Sequence, residues 1–294
     1  MLNAHRLALL SELARSGSVN AVGDALAYSP STVSQQLKVL EREVGATLVE
    51  RVGRGLALTA EGRLLAQHAD EILARMEHAR AAVSRVNEIV SGTFRVATFQ
   101  TAALAILPRA LDLMAAQHPE LRVVVSHIDP AEALPSLQAR EHDLVLGEEY
   151  PGRPVVRHGG VSLVPLLDDP LVLVTPAGSG GAEVRDVVAR GPWVLEPKGN
   201  DARAWAVAAC RDLGVEPEVR YESPDLLVQM RLVETGHAIA VLPGLLLRRE
   251  RPNIDRLRLP GDPSRLVFTA HRIASEGSRA LDAVRAAFTR AVEY

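Results

Sequence analysis

Leu65, Ala69, Ile72, Met76, Ala79, Val83, Val86 and Val90 follow one another at alternating steps of four and three. This spacing is that of a heptad seam. It predicts one helix over residues 59–90 with Thr59 as its cap, and about thirty residues at ~1.5 Å each make it roughly 45 Å long. A helix of that length with a single apolar stripe has to bury the stripe. Its own chain is one candidate occupant; the same helix of a second copy is the more economical one, because a twofold axis matches the stripe to itself. We therefore expect dimerisation through Leu65, Ala69, Ile72, Met76, Ala79, Val83 and Val86. The helix also divides the chain into a short stretch, 1–58, and a long one, 91–294.

The short stretch reads as three helices and a hairpin. Asn3 and Ser18 are N-cap residues, and Ser29 followed by Pro30 is a cap with proline in the first turn. The third helix runs to Val44 and stops at Gly45. Val33, Leu37, Leu40 and Val44 share one face of it. The other face carries Ser31, Thr32, Ser34, Gln35, Lys38 and Arg42. A run of two short strands around Gly53-Arg54-Gly55 then forms a hairpin with basic residues at its tip.

In a helix-turn-helix, the second helix enters the major groove of DNA and presents its N-terminal residues to base edges. Gln pairs bidentately with adenine, and Ser and Thr reach bases or phosphates. The candidate DNA-contacting residues are Ser29, Ser31, Thr32, Ser34, Gln35 and Lys38, with Arg51 and Arg54 on the hairpin. Charge limits this binding. The 294-residue chain has a net charge of −3, which excludes a globally basic nucleic-acid binder, and residues 1–63 hold seven basic and six acidic residues. One such head is a weak electrostatic anchor. Two heads on a symmetric dimer would contact half-sites about one helical turn, ~34 Å, apart or a multiple of it.

Residues 92–294 alternate strand-like and helix-like runs. The strands fall at 94–99, 122–128, 143–147, 171–175, 193–196, 239–242 and 266–271. The alternation predicts a mostly parallel sheet covered on both faces, in two small α/β lobes.

Five stretches carry a family resemblance. SVNAVGDALAYSPSTVSQQLKVLEREVGATLVERVGRGLALTAEG, above all VSQQLKVLEREVGATLVER followed by LTAEG, resembles the reading head of LysR-type transcriptional regulators. FRVATFQTAALAILPRAL, HDLVLG, LVLVTP and VETGHAIAVLPG resemble that family's effector-binding region more loosely. The resemblance spans essentially the whole chain. It implies an α+β winged helix-turn-helix at 1–58, a linker helix at 59–90, and a two-lobed α/β domain at 91–294 similar to type 2 periplasmic binding proteins. Lobe I would comprise about 91–164 and 265–294, and lobe II about 165–264. It also implies a transcription regulator that binds dyad-symmetric double-stranded DNA as a dimer or dimer of dimers and responds to a small-molecule effector. Two positions depart from the pattern: Pro30-Ser31 stands where the family often has Gln-Pro, and Val49 where Phe is common.

Ligands of open α/β sheets bind beyond the carboxyl ends of the strands. Thr98, Gln100 and Thr101 end the first strand and start a helix whose N–H groups would suit an anion. Gly147 and Glu148 end another strand, and Glu196 and Asn200 a third. These seven are the candidate effector-binding residues. The acid-rich rim points to a zwitterionic or amine-bearing effector, its carboxylate at Thr101 and its amine near a glutamate.

Other function classes find little support. No G-x-S-x-G elbow, phosphate-binding loop or complete dinucleotide fingerprint is present. His127 and Asp129 read as a polar pair at a strand end rather than metal ligands, so neither a metal nor a cofactor is expected. A solute-binding module would share the two-lobed fold, but it would need a leader. The N-terminal apolar run is broken by His5, Arg6, Glu12 and Arg15, and no stretch nears 18 apolar residues, so neither a leader nor a membrane span is expected and the protein reads as cytoplasmic. The single cysteine, Cys210, reads as a small buried hydrophobe.

Overall fold

The computed structural model describes residues 2–26, 28–52, 55–85, 89–157, 159–178 and 183–293; Arg54 and Val86, both candidates above, lie outside the described residues. The N-terminal segment folds as α1 (Ala4–Ser16), α2 (Val19–Leu26), α3 (Pro30–Val44), β1 (Val49–Val52) and β2 (Gly55–Leu58). Its boundaries are set by local chemistry. Asn3 Oδ1 accepts from the His5 N–H at 2.9 Å, Ser18 Oγ from Ala21 at 3.0 Å and Ser29 Oγ from Thr32 at 3.1 Å. Leu7, Leu10, Leu13, Val22, Val33, Leu37, Leu40 and Leu48 pack together beneath the three helices. The hairpin is fastened to α3 by Glu41, whose Oε1 accepts from the Leu48 and Val49 N–H groups at 2.8 and 3.2 Å.

α4 (Ala60–Ser84) follows, with Thr59 Oγ1 accepting from the Gly62 N–H at 3.0 Å. Gly62 is required there: a Cβ would lie 2.1 Å from the Leu48 carbonyl oxygen, so any side chain would push the helix off the hairpin. The expected helix over 59–90 ends sooner, at Ser84. Val90, its last expected seam residue, instead packs against the core of the next domain. The seam itself is divided. Leu65 and Ala69 belong to the core under α1, whereas Ile72, Met76, Ala79 and Val83 are exposed, as is the adjacent Leu64.

The larger domain begins with β3 (Gly92–Thr98), α5 (Gln100–Ala105), α6 (Leu107–Gln117), β4 (Leu121–His127), α7 (Pro130–Gln138) and β5 (Leu144–Glu149). The sixteen-residue β6 (Val161–Pro176) crosses into a second lobe. That lobe holds α8 (Val184–Arg190), β7 (Trp193–Leu195), α9 (Asp201–Asp212), β8 (Val219–Glu222), α10 (Leu226–Glu234), β9 (Ala240–Pro243), α11 (Gly244–Glu250) and β10 (Ile254–Arg258). β11 (Ser264–Arg272) returns to the first lobe and α12 (Arg279–Val292) covers it.

The sheet is mixed, not mostly parallel as expected. β3 pairs in parallel with β4 and β5, but β11 pairs antiparallel with β5 and β6, and β6 antiparallel with β9 and β10. The reason is the crossing itself. β6 leaves the first lobe and β11 comes back, so the two neighbours must run in opposite directions. Arg265 lies opposite Asp169 where they cross. In the first lobe, Val96 and Leu146 face α6 and α12, while Ala97 and Val145 face α7. Covering both sheet faces explains why these strands read as continuous apolar runs.

α4 is tied to this domain by charge. Glu77 accepts from Arg272 Nε at 2.8 and 3.1 Å and also from Arg140. Arg272, itself buried, donates to the Leu137 carbonyl at 2.8 Å and to Asp143 at 3.2 Å. Arg85 Nε donates to the Gly277 carbonyl at 2.8 Å.

Candidate nucleic-acid interface and ligand cleft

α3 buries Val33, Leu37 and Leu40 and leaves Ser31, Gln35, Lys38 and Arg42 exposed, with Thr32 and Ser34 half-buried. The helix is thus held from one side, and its polar N-terminal half faces outward. Ser29 Oγ lies 2.8 Å from both Ser31 Oγ and Thr32 Oγ1, so three hydroxyls cluster over the first turn. Ser34 Oγ donates back to the Pro30 carbonyl at 2.9 Å. Gln35 and Lys38 are one turn apart and their side chains are uncommitted among the described residues. Arg51 is exposed on β1.

The second site lies between the lobes. A cavity of about 380 Å³ is bounded by the start of α5 (Phe99, Gln100, Thr101), the end of β4 (His127, Ile128), Glu148 and Tyr150, Glu196, Asn200, Asp225 with Leu226, and Arg265. A second space of about 550 Å³ adjoins it, shares Glu148, Tyr150, Asn200 and Pro224, and adds Leu134, Pro135, Pro154, Val155 and Val156 as apolar wall.

Arg265 is the floor. It is 1% exposed, and its five N–H groups are all engaged. Nε and Nη2 donate to Asp169 Oδ2 at 3.0 and 2.8 Å, Nη2 also to Thr101 Oγ1 at 2.6 Å, and Nη1 to Glu148 and, at 3.4 Å, to the Tyr150 hydroxyl. The guanidinium stands 5.3 Å from the Phe99 ring centroid. Asp169, fully buried, also accepts from the Leu245 N–H at 2.7 Å. Burial pushes the Glu148 carboxyl above the usual carboxylate range despite Arg265 beside it, and burial likewise raises Glu196.

Of the candidate effector residues, the structure brings Gln100, Thr101, Glu148, Glu196 and Asn200 to the cavity and leaves Thr98 and Gly147 out of its wall. Thr98 is buried, with its hydroxyl 3.3 Å from the Phe99 carbonyl. Gly147 faces the Phe268 ring so closely that a Cβ would sit 2.4 Å from it; its role there is packing. Thr101 does not cap a helix. Phe99 holds the cap position without a side-chain bond, and Thr101 is buried inside the six-residue α5. Gln100 bridges the lobes: its Nε2 donates to Asp225 Oδ1 at 2.7 Å and its Oε1 accepts from the Leu226 N–H at 2.9 Å. The bond from Gln100 holds the Asp225 carboxyl below its usual range. Asn200 caps α9 through the Ala202 N–H at 2.8 Å.

Arg265, Asp169, Tyr150 and Asp225 escaped the reading of the sequence. One signal was present: Asp168-Asp169 interrupts the apolar run LVPLLDDPLVLV, and a carboxylate in mid-strand needs a buried partner. Asp129 caps α7 through the Ala131 N–H at 2.8 Å, and no group of His, Cys, Asp and Glu among the described residues is placed to hold a metal ion. No helix among the described residues is long and apolar enough to cross a membrane.

Known proteins share this arrangement. Residues 4–63 match the family described as bacterial regulatory helix-turn-helix protein, lysR family, and residues 87–293 match the LysR substrate binding domain. The hydrogen peroxide-inducible genes activator of Pectobacterium carotovorum is 24% identical over 283 residues, covering 93% of this chain and 91% of that protein. Full-length OxyR from Pseudomonas aeruginosa superposes with a TM-score of 0.70 at 18% identity, over 98% of this chain and 95% of the other. CbnR in complex with its target DNA gives 0.56 at 21% identity, over 99% and 100%.

Proposed function

The chain belongs to the LysR family of bacterial transcriptional regulators, and within that role of a DNA-binding regulator with an effector-binding domain we propose how its residues divide the work. Ser31, Thr32, Ser34, Gln35 and Lys38 on α3 read the major groove, with Ser29 fixing the first turn and Arg51 on the hairpin reaching the flanking phosphates. The observation that carries this assignment is the one-sided burial of α3: its apolar face is locked in the head and its polar N-terminal face is free. Ile72, Met76, Ala79 and Val83 on α4 join two copies, and the work is done in the cytoplasm, where the chromosome lies. The protein is a regulator, not an enzyme.

The effector enters the cleft floored by Arg265. Gln100 already bonds one lobe to the start of α10 in the other, so an occupant between them changes the free energy of closure. A ligand shifts that equilibrium only by its differential affinity for the two states. Glu77, held by Arg140 and Arg272, passes lobe movement to α4 and from there to the reading heads.

A peroxide-driven thiol switch does not fit this chain. Its single cysteine, Cys210, is buried on α9, and burial pushes the thiol up to about 12. Burial thus disfavours the thiolate, which is the reactive form.

A mobility-shift titration of the full chain against duplex DNA from upstream of its own gene tests the assignment of α3. The Gln35→Ala/Lys38→Ala double variant should fold normally and lose the shift. Retention of sequence-specific binding at undiminished affinity would contradict it.

A further inference from the structure

The cleft offers far more acceptors than donors. The walls of its inner part carry Asp129, Glu148, Glu196 and Asp225. Against these stands one buried cation, Arg265, with no N–H left for a ligand, and His127, exposed at the rim. Charged donors that would receive a carboxylate are therefore missing from this inner part, where the neutral Tyr150 hydroxyl and Asn200 amide remain open, and Lys198 lines the adjoining space. The helix start at Thr101 does not supply them either, because α5 has only six residues and the Thr101 hydroxyl already accepts from Arg265.

Glu196 is the second, independent sign. It is 9% exposed, it lines the cavity, and its carboxylate is met by the Gln229 side chain and its own backbone, with no cation among the described residues within salt-bridge distance. Arg203 Nη1 reaches only its main-chain carbonyl, at 2.8 Å. Burying a carboxylate without a cation is unfavourable unless a partner arrives to share the site. Nearby, Glu148 meets Arg265 through one oxygen, Oε2, and its Oε1 carries no bond among the described residues. Beyond Glu148 and Tyr150 the cleft gains an apolar wall of Leu134, Pro154, Val155 and Val156, with Lys198 and Asp201 also lining that space.

We propose that the effector is an organic amine: an ammonium group seated between Glu196 and Glu148, carried on an apolar body that lies against Leu134, Val155 and Val156. This rests on the reading of the interlobe cleft as the effector site.

The test uses the full chain with two amines, 2-phenylethylamine and hexylamine, followed by thermal shift and titration calorimetry. Their neutral counterparts are 2-phenylethanol and 1-hexanol, and their anionic ones 3-phenylpropionate and hexanoate. The amines should raise the melting temperature and bind about tenfold or more tightly than the alcohols, as expected for a charge-assisted bond in a buried site, and the carboxylates should not bind. Glu196→Gln keeps the shape and removes the charge; it should erase the advantage of amine over alcohol while leaving the ligand-free melting temperature at or above that of the native chain. Carboxylate binding in preference to amine, or no binding of either amine at millimolar concentration, overturns the proposal. Ala202→Phe separates the two claims. Carboxylate binding abolished by Ala202→Phe leaves the cleft as the effector site and removes the amine; amine binding that survives both Ala202→Phe and Glu196→Gln places the ligand elsewhere and removes the cleft.

Discussion

Met76→Asp on α4 should convert the protein to a monomer without unfolding it. Leu64, Ile72, Met76 and Val83 are 58%, 37%, 40% and 65% exposed, equivalent to about two full side chains left in water per copy. At roughly 1.5–3 kcal/mol for each side chain fully buried, covering them yields roughly 6–12 kcal/mol per dimer. Association costs roughly 4–15 kcal/mol in lost translation and rotation, so the margin is thin. The substitution removes two thioethers and, by the twofold axis, adds two carboxylates to one seam, each several kcal/mol unfavourable when buried without a partner. A loss of even 3–4 kcal/mol weakens dimerisation by roughly 10²–10³-fold. Sedimentation equilibrium at micromolar concentration should show a monomer. The melting temperature measured at a concentration where both proteins are monomeric should be unchanged, because Met76 lies outside the chain's own core. Binding to a two-half-site duplex should fall to the level of a single half-site. A Met76→Asp protein that stays dimeric with undiminished DNA affinity would refute the assignment of α4 as the twofold contact.

Further outcomes follow from the same structure. Arg51→Ala should weaken binding to all duplexes alike and lower the slope of log affinity against log salt by about one per reading head, measured by titrations at several ionic strengths. Arg265→Met leaves Asp169 and Glu148 buried without their cation, so unfolding in urea should show a loss of about 3–5 kcal/mol; a change below 1 kcal/mol would mean the cluster is hydrated. Glu77→Ala leaves Arg272 still bonded to Asp143 and the Leu137 carbonyl, so the predicted loss is smaller, about 1–3 kcal/mol, with an altered response of DNA binding to effector. His142 and His271 are buried, and burial holds both below the usual histidine value; Arg285, Glu276 and Asp282 face His271. The unfolded chain therefore takes up their protons first. Their effect on stability is nil above about pH 6.5 and unfavourable as pH falls below it, so the melting temperature should drop between pH 7 and 5 and His271→Gln should flatten that drop.

The reading head was legible because its determinants are local. Asn3, Ser18, Ser29 and Thr59 each accept from an N–H two or three residues away, and Val33, Leu37 and Leu40 show their common face within eight residues of chain. The seam on α4 was only half legible. Periodicity reports that a stripe is apolar, but it does not say what covers each part, and α1 claims Leu65 and Ala69 through contacts about sixty residues away in sequence. The cleft was least legible. Arg265 gathers Thr101, Glu148 and Asp169 from positions 96 to 164 residues distant, and no local pattern encodes such a meeting. The first half of β6 was hidden for a related reason. Pro165, Pro170 and the Asp168-Asp169 pair break the apolar run, and only pairing with β11, with a register shift at Val267 and Phe268, keeps it a strand.

The central claim is that α3 reads bases as one of a symmetric pair. Selection of bound sequences from random duplex DNA, run side by side with the native chain and Gln35→Ala, tests it directly. The native chain should select two half-sites related by a dyad and spaced by about one helical turn or a multiple of it, and Gln35→Ala should lose preference at one matching position in each half. An unchanged selection by Gln35→Ala, or a selected sequence without a dyad, would contradict the account.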